Sequence, residues 1–432
     1  MPANGSQEPQ ISKMKSLPGP DDITRARLEN GITLLSRANF NSPSVTISGL
    51  LPVGALFDPD ERLGLADFTA SALMRGTVRR SFQRIYEALE SCGANLGFDS
   101  STHTTRFYGR ALAEDLDLLL ELLAECLRQP AFPAEQVERL RAQLLTGLAI
   151  RAQDTAEMAA LAFDEIVYAG HPYSRPEDGY THTVEAIRQE DLATFHERFY
   201  GPDGLLIAVV GGVDPALAIE KISAALGDWR NPHQPELTEL PPLNPLSERR
   251  QKKVTLPGKS QADVLIGAAG PARRSPDYLA ASLGNNVLGQ FGMMGRLGES
   301  IREQAGLAYY ASSSLSGGIG PGPWSISMGV DPATVERAVN LALQEVARFT
   351  QEPVSNEELA DSKASYIGQL PLSLESNGGV ASALLNLERF DLGLDYYQRY
   401  SDLINAVNKE QVLEAAQRYL DTSRLGIAVA GP

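Results

Sequence analysis

Apolar and polar positions along this chain repeat with two different periods. Trp324, Ile326, Met328 and Val330 recur at every second residue, as in a half-buried strand. Val45, Ile47 and Gly49 lead a similar early run, and Thr105 to Leu112 reads as another strand. Leu205 to Val210 is continuously apolar, the pattern of a strand buried on both faces. Between these runs lie long helical stretches. Leu116, Leu119, Leu120 and Leu123 recur at three- and four-residue steps and put Cys126 on the same apolar face. Strands and helices mixed in this order predict an α+β fold, with helices packed on mostly antiparallel sheets.

The chain also matches itself at a constant offset of 220 residues. Glu190 and Glu410 each open a helical pattern, Arg198 matches Arg418 and Phe199 matches Tyr419. Ile207, Ala208, Val209 and Gly211 match Ile427, Ala428, Val429 and Gly431, while Pro133 pairs with Pro353 and Glu138 with Glu358. One offset held over so much sequence implies two tandem homologous domains. The expected division is a flexible N-terminal segment 1–21, a first domain 22–230, a Pro-rich linker 231–258 and a second domain 259–432. A length of 432 residues suits two domains of about 200 residues each.

Composition narrows the function classes. With 43% hydrophobic and 21% charged residues the chain reads as globular. A formal net charge of −16 opposes phosphate backbones and anionic lipid, so no nucleic-acid partner is expected. The basic run Arg249, Arg250, Lys252 and Lys253 follows Pro241, Pro242 and Pro245 and reads as solvated linker. Cys92 and Cys126 form neither a CxxC motif nor a disulfide framework. No apolar run reaches the ~18 residues of a membrane span. The first twenty residues lack the apolar core of a secretory signal. The expectation is a soluble chain of the cytoplasm, with the periplasm open to a chain trimmed after such a signal.

Candidate chemistry begins at Gly64 to Thr77, GLADFTASALMRGT. This segment resembles GLAHFLEHMLFKGT of the pitrilysin- and insulinase-type zinc peptidases, whose H-x-x-E-H motif places two His on one helix face to bind zinc beside a general-base Glu. On that pattern Asp67 takes the first His position, Ala70 the Glu position and Ser71 the second His position. Ala70 cannot accept a proton, a neutral Ser hydroxyl is a poor zinc ligand, and Asp67 reads either as a ligand or as a polar residue facing a wet cavity. The family's third ligand is a Glu roughly 75 residues further on, on a helix resembling Arg139 to Gln153, yet no Asp or Glu occurs between Glu138 and Asp154. His103, His171, His182, His196 and His233 show no HxH, HxxH or HxxxH spacing. No catalytic residue, no metal and no cofactor are therefore expected in this chain. The resemblance extends from about residue 22 onward and includes His171 to Asp214, HPYSRPEDGYTHTVEAIRQEDLATFHERFYGPDGLLIAVVGGVD.

In the second half, Gly295 to Tyr310 reads GRLGESIREQAGLAYY, similar to the family's SRLFQEIREKRGLAYS. The resemblance implies that Arg302 and Tyr309 reach the substrate, where a guanidinium and a phenol can hold a peptide carbonyl. The alternative is an Arg on a solvated helix face and an aromatic opening the strand through Ala311 to Ser314. Gly284, Gly289, Gly292, Gly295 and Gly298, interrupted by Phe291, Met293 and Met294, match no phosphate loop. That run reads either as a mobile substrate-handling loop, like that of the non-catalytic subunit of mitochondrial processing peptidase, or as tight packing at a helix start. Taken together, the resemblance implies a non-catalytic subunit of a heterodimeric zinc peptidase. A homologous partner would carry H-x-x-E-H and the zinc, and the two chains would enclose peptide or unfolded protein. The alternative is a structural subunit resembling the core proteins of respiratory complex III.

Overall fold

The computed structural model describes residues 17–236, 239–292 and 295–432. The first sheet contains β1 (Thr24–Arg27), β2 (Thr33–Ala38), β3 (Ser44–Leu51), β4 (Asn95–Ser100), β5 (Thr105–Leu112) and β6 (Leu206–Gly211), in the order β1-β2-β6-β3-β5-β4. The second contains β7 (Arg250–Thr255), β8 (Ala262–Ala269), β9 (Ala308–Gly317), β10 (Pro321–Val330) and β11 (Gly426–Gly431), in the order β7-β11-β8-β10-β9. All pairs are antiparallel except β2 with β6 and β7 with β11. The α+β expectation is met, and β5 spans the residues that the alternation marked.

The repeat is also visible in three dimensions. Helices Gln189–Phe199 and Lys409–Tyr419, and strands β6 and β11, keep the 220-residue offset at both ends. Each sheet buries one face under helices of its own half. Val45, Ile47 and Phe107 pack there with Leu119, Leu123 and Cys126 of helix Leu116–Arg128. In the second sheet Val264, Trp324, Ile326 and Met328 pack with Phe349 of helix Val335–Gln351.

The opposite faces are covered by exchange. Helix Thr155–Val167 of the first half lies on β7, β8 and β11, where Ala162, Phe163 and Val167 meet Ala428, Val254 and Leu265. Helix Asn377–Arg389 of the second half lies on β3 and β6, where Val380, Leu384 and Leu387 meet Leu35, Leu50, Ala208 and Val210. Each fully buried side chain contributes about 1.5–3 kcal/mol by leaving water, so neither sheet can give up its borrowed helix cheaply. Ser325, on the β10 face expected to meet solvent, is buried, and its hydroxyl lies 3.3 Å from Ser314 Oγ on β9.

Two readings of the sequence change. The basic run taken as solvated linker ends in an edge strand: β7 pairs in parallel with β11, Lys252 pairs with Glu165, and Arg249 donates to Thr422 O at 2.7 Å. An edge strand exposed on both faces has no hydrophobic alternation to reveal it. Of segment 1–21, residues 1–16 lie outside the described residues. Within the remainder Pro18 and Gly19 are buried, and the Gly19 N–H donates to Asp22 Oδ1 at 2.8 Å.

Candidate functional site

The segment Gly64 to Thr77 opens on helix Leu65–Ala72. Gly64 starts it in the left-handed region at φ 92°, and a Cβ there would lie 2.7 Å from Asp178 O. The buried Asp58 carboxylate accepts from the Gly64 and Ala66 amides, both at 2.8 Å, so it satisfies donors that a helix start leaves unpaired. Burial pushes the Asp58 carboxyl up to about 7, against the pull of those two hydrogen bonds. Leu65, Ala66, Phe68, Thr69, Ala70 and Ala72 are all buried. Phe68 lies under the Arg141 guanidinium, 5.3 Å from ring centre, and Arg75 donates to Gln143 Oε1 at 2.8 Å. These contacts seat the helix against helix Ala134–Arg151, which begins before the stretch read as Arg139 to Gln153 and stops two residues short of its end. The scaffold of the zinc motif is therefore packed in place.

Its chemistry differs. Ala70 is fully buried, whereas Asp67 and Ser71 are half-buried. Burial pushes the Asp67 carboxyl up to about 7, and the negative charges of Asp178, Glu177 and Asp99 push in the same direction. Asp164 is raised to about 7 as well, first by burial and then by Glu177. Among the described residues no three His, Cys, Asp or Glu side chains gather so as to hold a metal ion. Carboxylates that repel one another at a distance are not a ligand set, and the residues present do not fit zinc.

The histidines are dispersed. His103 Nε2 meets Tyr173 OH at 2.6 Å, His171 donates to Pro241 O at 3.2 Å and His196 to Leu127 O at 2.8 Å. His182 stacks on Tyr180 at 5.7 Å, and His233 is exposed. Asp58, Asp164, Glu177 and Asp178 escaped the sequence reading, although Glu177 and Asp178 lie inside the quoted segment His171 to Asp214. For Asp58 and Asp178 the signal was the Gly64 and Gly179 turns, which bring their segments to the helix start. Arg151 anchors this arrangement by pairing with Asp178 and donating to Gly179 O at 2.7 Å.

In the second half Arg302 sits in a π-helical turn, Gly298–Gln304, 3.5 Å from its neighbour Glu303. Gly306, at φ 63°, reverses the chain into β9. Tyr309 occupies a bulge in β9, skipped between Tyr310 opposite Gly329 and Ala308 opposite Val330, and is 82% exposed. Tyr309 is turned to solvent, while its neighbour Tyr310 donates to the buried Asp263 at 2.5 Å. No hydrogen bond or ion pair among the described residues joins Arg302 or Tyr309 to Asp67, Ala70 or Ser71. β9 is the outermost strand of its sheet, as is β4, against which helix Leu65–Ala72 packs.

The glycine-rich run divides. A Cβ at Gly289 would meet Ser313 N at 2.3 Å, and one at Gly295 would meet Val287 O at 2.5 Å, so both are close approaches. Gly292 turns at φ 57° with open space around it, while Met293 and Met294 lie outside the described residues.

Residues 33–176 match the family described as insulinase, peptidase family M16, and residues 186–366 match the peptidase M16 inactive domain. An uncharacterized zinc protease of Mycobacterium bovis is 27% identical over 94% of this chain and 93% of its own length. The beta subunit of the bovine mitochondrial processing peptidase is 24% identical over 94% of this chain and 83% of its own length. Among solved structures, a peptidase M16 inactive domain from Pseudomonas fluorescens superposes with a TM-score of 0.88 at 25% identity, covering 95% of this chain and 98% of that one. With a retained motif helix, two homologous halves and these matches across both, the chain belongs to peptidase family M16, the insulinase family.

Proposed function

We propose that this chain is the non-catalytic half of a two-chain zinc peptidase, forming one wall of a chamber for extended peptides. The observation that carries the reading is the motif helix, packed in place along its apolar side yet bearing Asp67, Ala70 and Ser71 where zinc chemistry needs two imidazoles and a base. A helix kept with its surroundings but without its ligands suits a subunit that contributes surface, while a homologous partner holds the zinc. β4 and β9 support the reading, since outermost strands present unpaired backbone groups to which an extended peptide can add as a further strand. Exposed and without a partner among the described residues, Tyr309 is free to donate to a substrate carbonyl beside Arg302.

The test is affinity capture of the tagged chain from its native cells, followed by peptide hydrolysis with the partner it recovers. A stoichiometric homologue carrying H-x-x-E-H is the expected result. Capture of the chain alone, or of membrane subunits, overturns the reading and favours a structural role. In the reconstituted pair, Arg302→Ala and Tyr309→Phe lower kcat/KM, by about a hundredfold for a lost oxyanion donor, while the pair stays associated. Unchanged turnover removes these two residues from the assignment.

A further inference from the structure

The outer face of the first sheet changes character along β3. Around Leu50, with Leu35, Ala208 and Val210 beside it, that face is apolar and lies under helix Asn377–Arg389. Towards the start of β3 the same face presents Ser48, Thr46 and Ser44, and there the first turn of the helix overhangs a cleft of about 550 Å³. Ser48 is 2% exposed and Thr46 is 8% exposed, and neither hydroxyl has a hydrogen-bond partner among the described residues. Both side chains line the cleft and their oxygens open onto it, so two hydroxyls along its floor offer donors to a ligand that supplies the acceptors.

The cleft is also cationic, in a chain whose net charge is −16. Arg110 lies opposite Thr46 in the ladder, and Arg106 lies opposite Leu50 on the same face of β5. The Arg110 guanidinium has no ion pair or hydrogen bond among the described residues. Arg106 faces Asp99 across the β4–β5 pair and reaches Ser382 Oγ only at 3.5 Å. Glu375 is the one carboxylate lining the cleft among the described residues.

Above the floor, Ser376 caps the Gly379 amide at 3.0 Å, while the Asn377 and Gly378 amides have no acceptor among the described residues. A Cβ at Gly378 would find only Ser376 Oγ, at 3.9 Å, so nothing crowds this turn. Free amides at a helix start attract negative charge.

We propose that this cleft binds a small ligand bearing two oxyanion groups, phosphate or carboxylate. Arg110 and Arg106 take the two charges, and Thr46, Ser48 and the free amides of the helix donate to the oxygens. Four residues along a strand separate the two arginines by about 13 Å, which suits a ligand with two anionic ends better than a single ion. A volume of about 550 Å³ is that of a metabolite or a short acidic peptide.

Calorimetric titration of the full chain, with inorganic tripolyphosphate and separately with triglutamate, tests this at physiological salt. Binding of either probe is expected, with at least a tenfold loss for Arg110→Ala and for the pair Thr46→Val with Ser48→Ala. Binding of tripolyphosphate alone identifies the natural groups as phosphate, and binding of triglutamate alone identifies them as carboxylate. The Arg110 side chain is exposed and has no partner among the described residues, so its variant keeps the fold, and an unchanged Tm checks this. The proposal falls if neither probe binds, if Arg110→Ala binds as the parent does, or if Arg139→Ala on the remote helix Ala134–Arg151 costs as much.

Discussion

Helices Thr155–Val167 and Asn377–Arg389 have the same length, lie 222 residues apart, and each covers the other half's sheet, yet their seams differ. At the first, the helix start is closed by a buried acid: Asp263 on β8 accepts from Thr155, from Tyr310 at 2.5 Å and from Gln261 at 3.1 Å. At the second, Asn377 donates to Ser44 O at 3.1 Å and accepts from Asn39 at 2.8 Å, and beside it the Thr46 and Ser48 hydroxyls have no partner among the described residues. The halves share an architecture and not a chemistry. Where the repeat is closed, buried polar groups are paired across the seam, and where it is left open, hydroxyls and arginines line a cleft.

Packing carries the largest share of either seam. Phe163→Ala and Leu384→Ala each remove a fully buried side chain, with an expected loss of about 4 and about 3 kcal/mol in denaturant unfolding. If the two sheets are held in one cooperative unit, either variant shifts a single transition. Two resolved transitions would show that each half stands without its borrowed helix.

The polar seams come next. Asp263→Ala strands the Tyr310 and Thr155 hydroxyls and is expected to cost about 3 kcal/mol, whereas Asn377→Ala, in the half-open seam, costs about 1 kcal/mol. Equal losses in a thermal unfolding comparison would erase the distinction between the closed and the open seam.

The smallest effect depends on pH. Asp164 on the first helix stands where the second has Asn386, and its folded-state value of about 7 lies above the ordinary 3.8. Because the folded state holds that proton more tightly than the unfolded state, its destabilising contribution is absent below about pH 4 and complete above about pH 7. Asp164→Asn is therefore expected to raise stability at pH 8 by on the order of 1 kcal/mol and to leave it unchanged at pH 4. An equal gain at both pH values would mean that the effect is one of packing, not of charge.

Much of the fold was legible from local pattern. The alternation at Thr105 to Leu112, the apolar run at Leu205 to Val210 and the repeat offset each depend on residues close in sequence or on simple self-similarity. Loss of the zinc ligands was equally plain, because a missing imidazole at Asp67 and Ser71 is a matter of identity rather than geometry. The β7 edge was not legible, since nothing buries its side chains. Nor was the meaning of Tyr309 beside Tyr310: only the packing shows that the first meets solvent while the second reaches the buried Asp263.

By itself the sequence determined that two homologous α+β halves follow one another and that the first retains a zinc-peptidase helix without its chemistry. The tertiary structure alone decided which face of each sheet receives the other half's helix, that Asp58, Asp178 and Arg151 converge on one helix start, and that Thr46, Ser48, Arg106 and Arg110 line one cleft under residues far away in sequence, Glu375 to Gly379. The physical reason is that periodicity reports whether a side chain is turned inward, whereas its partner is chosen by how distant elements pack to exclude water.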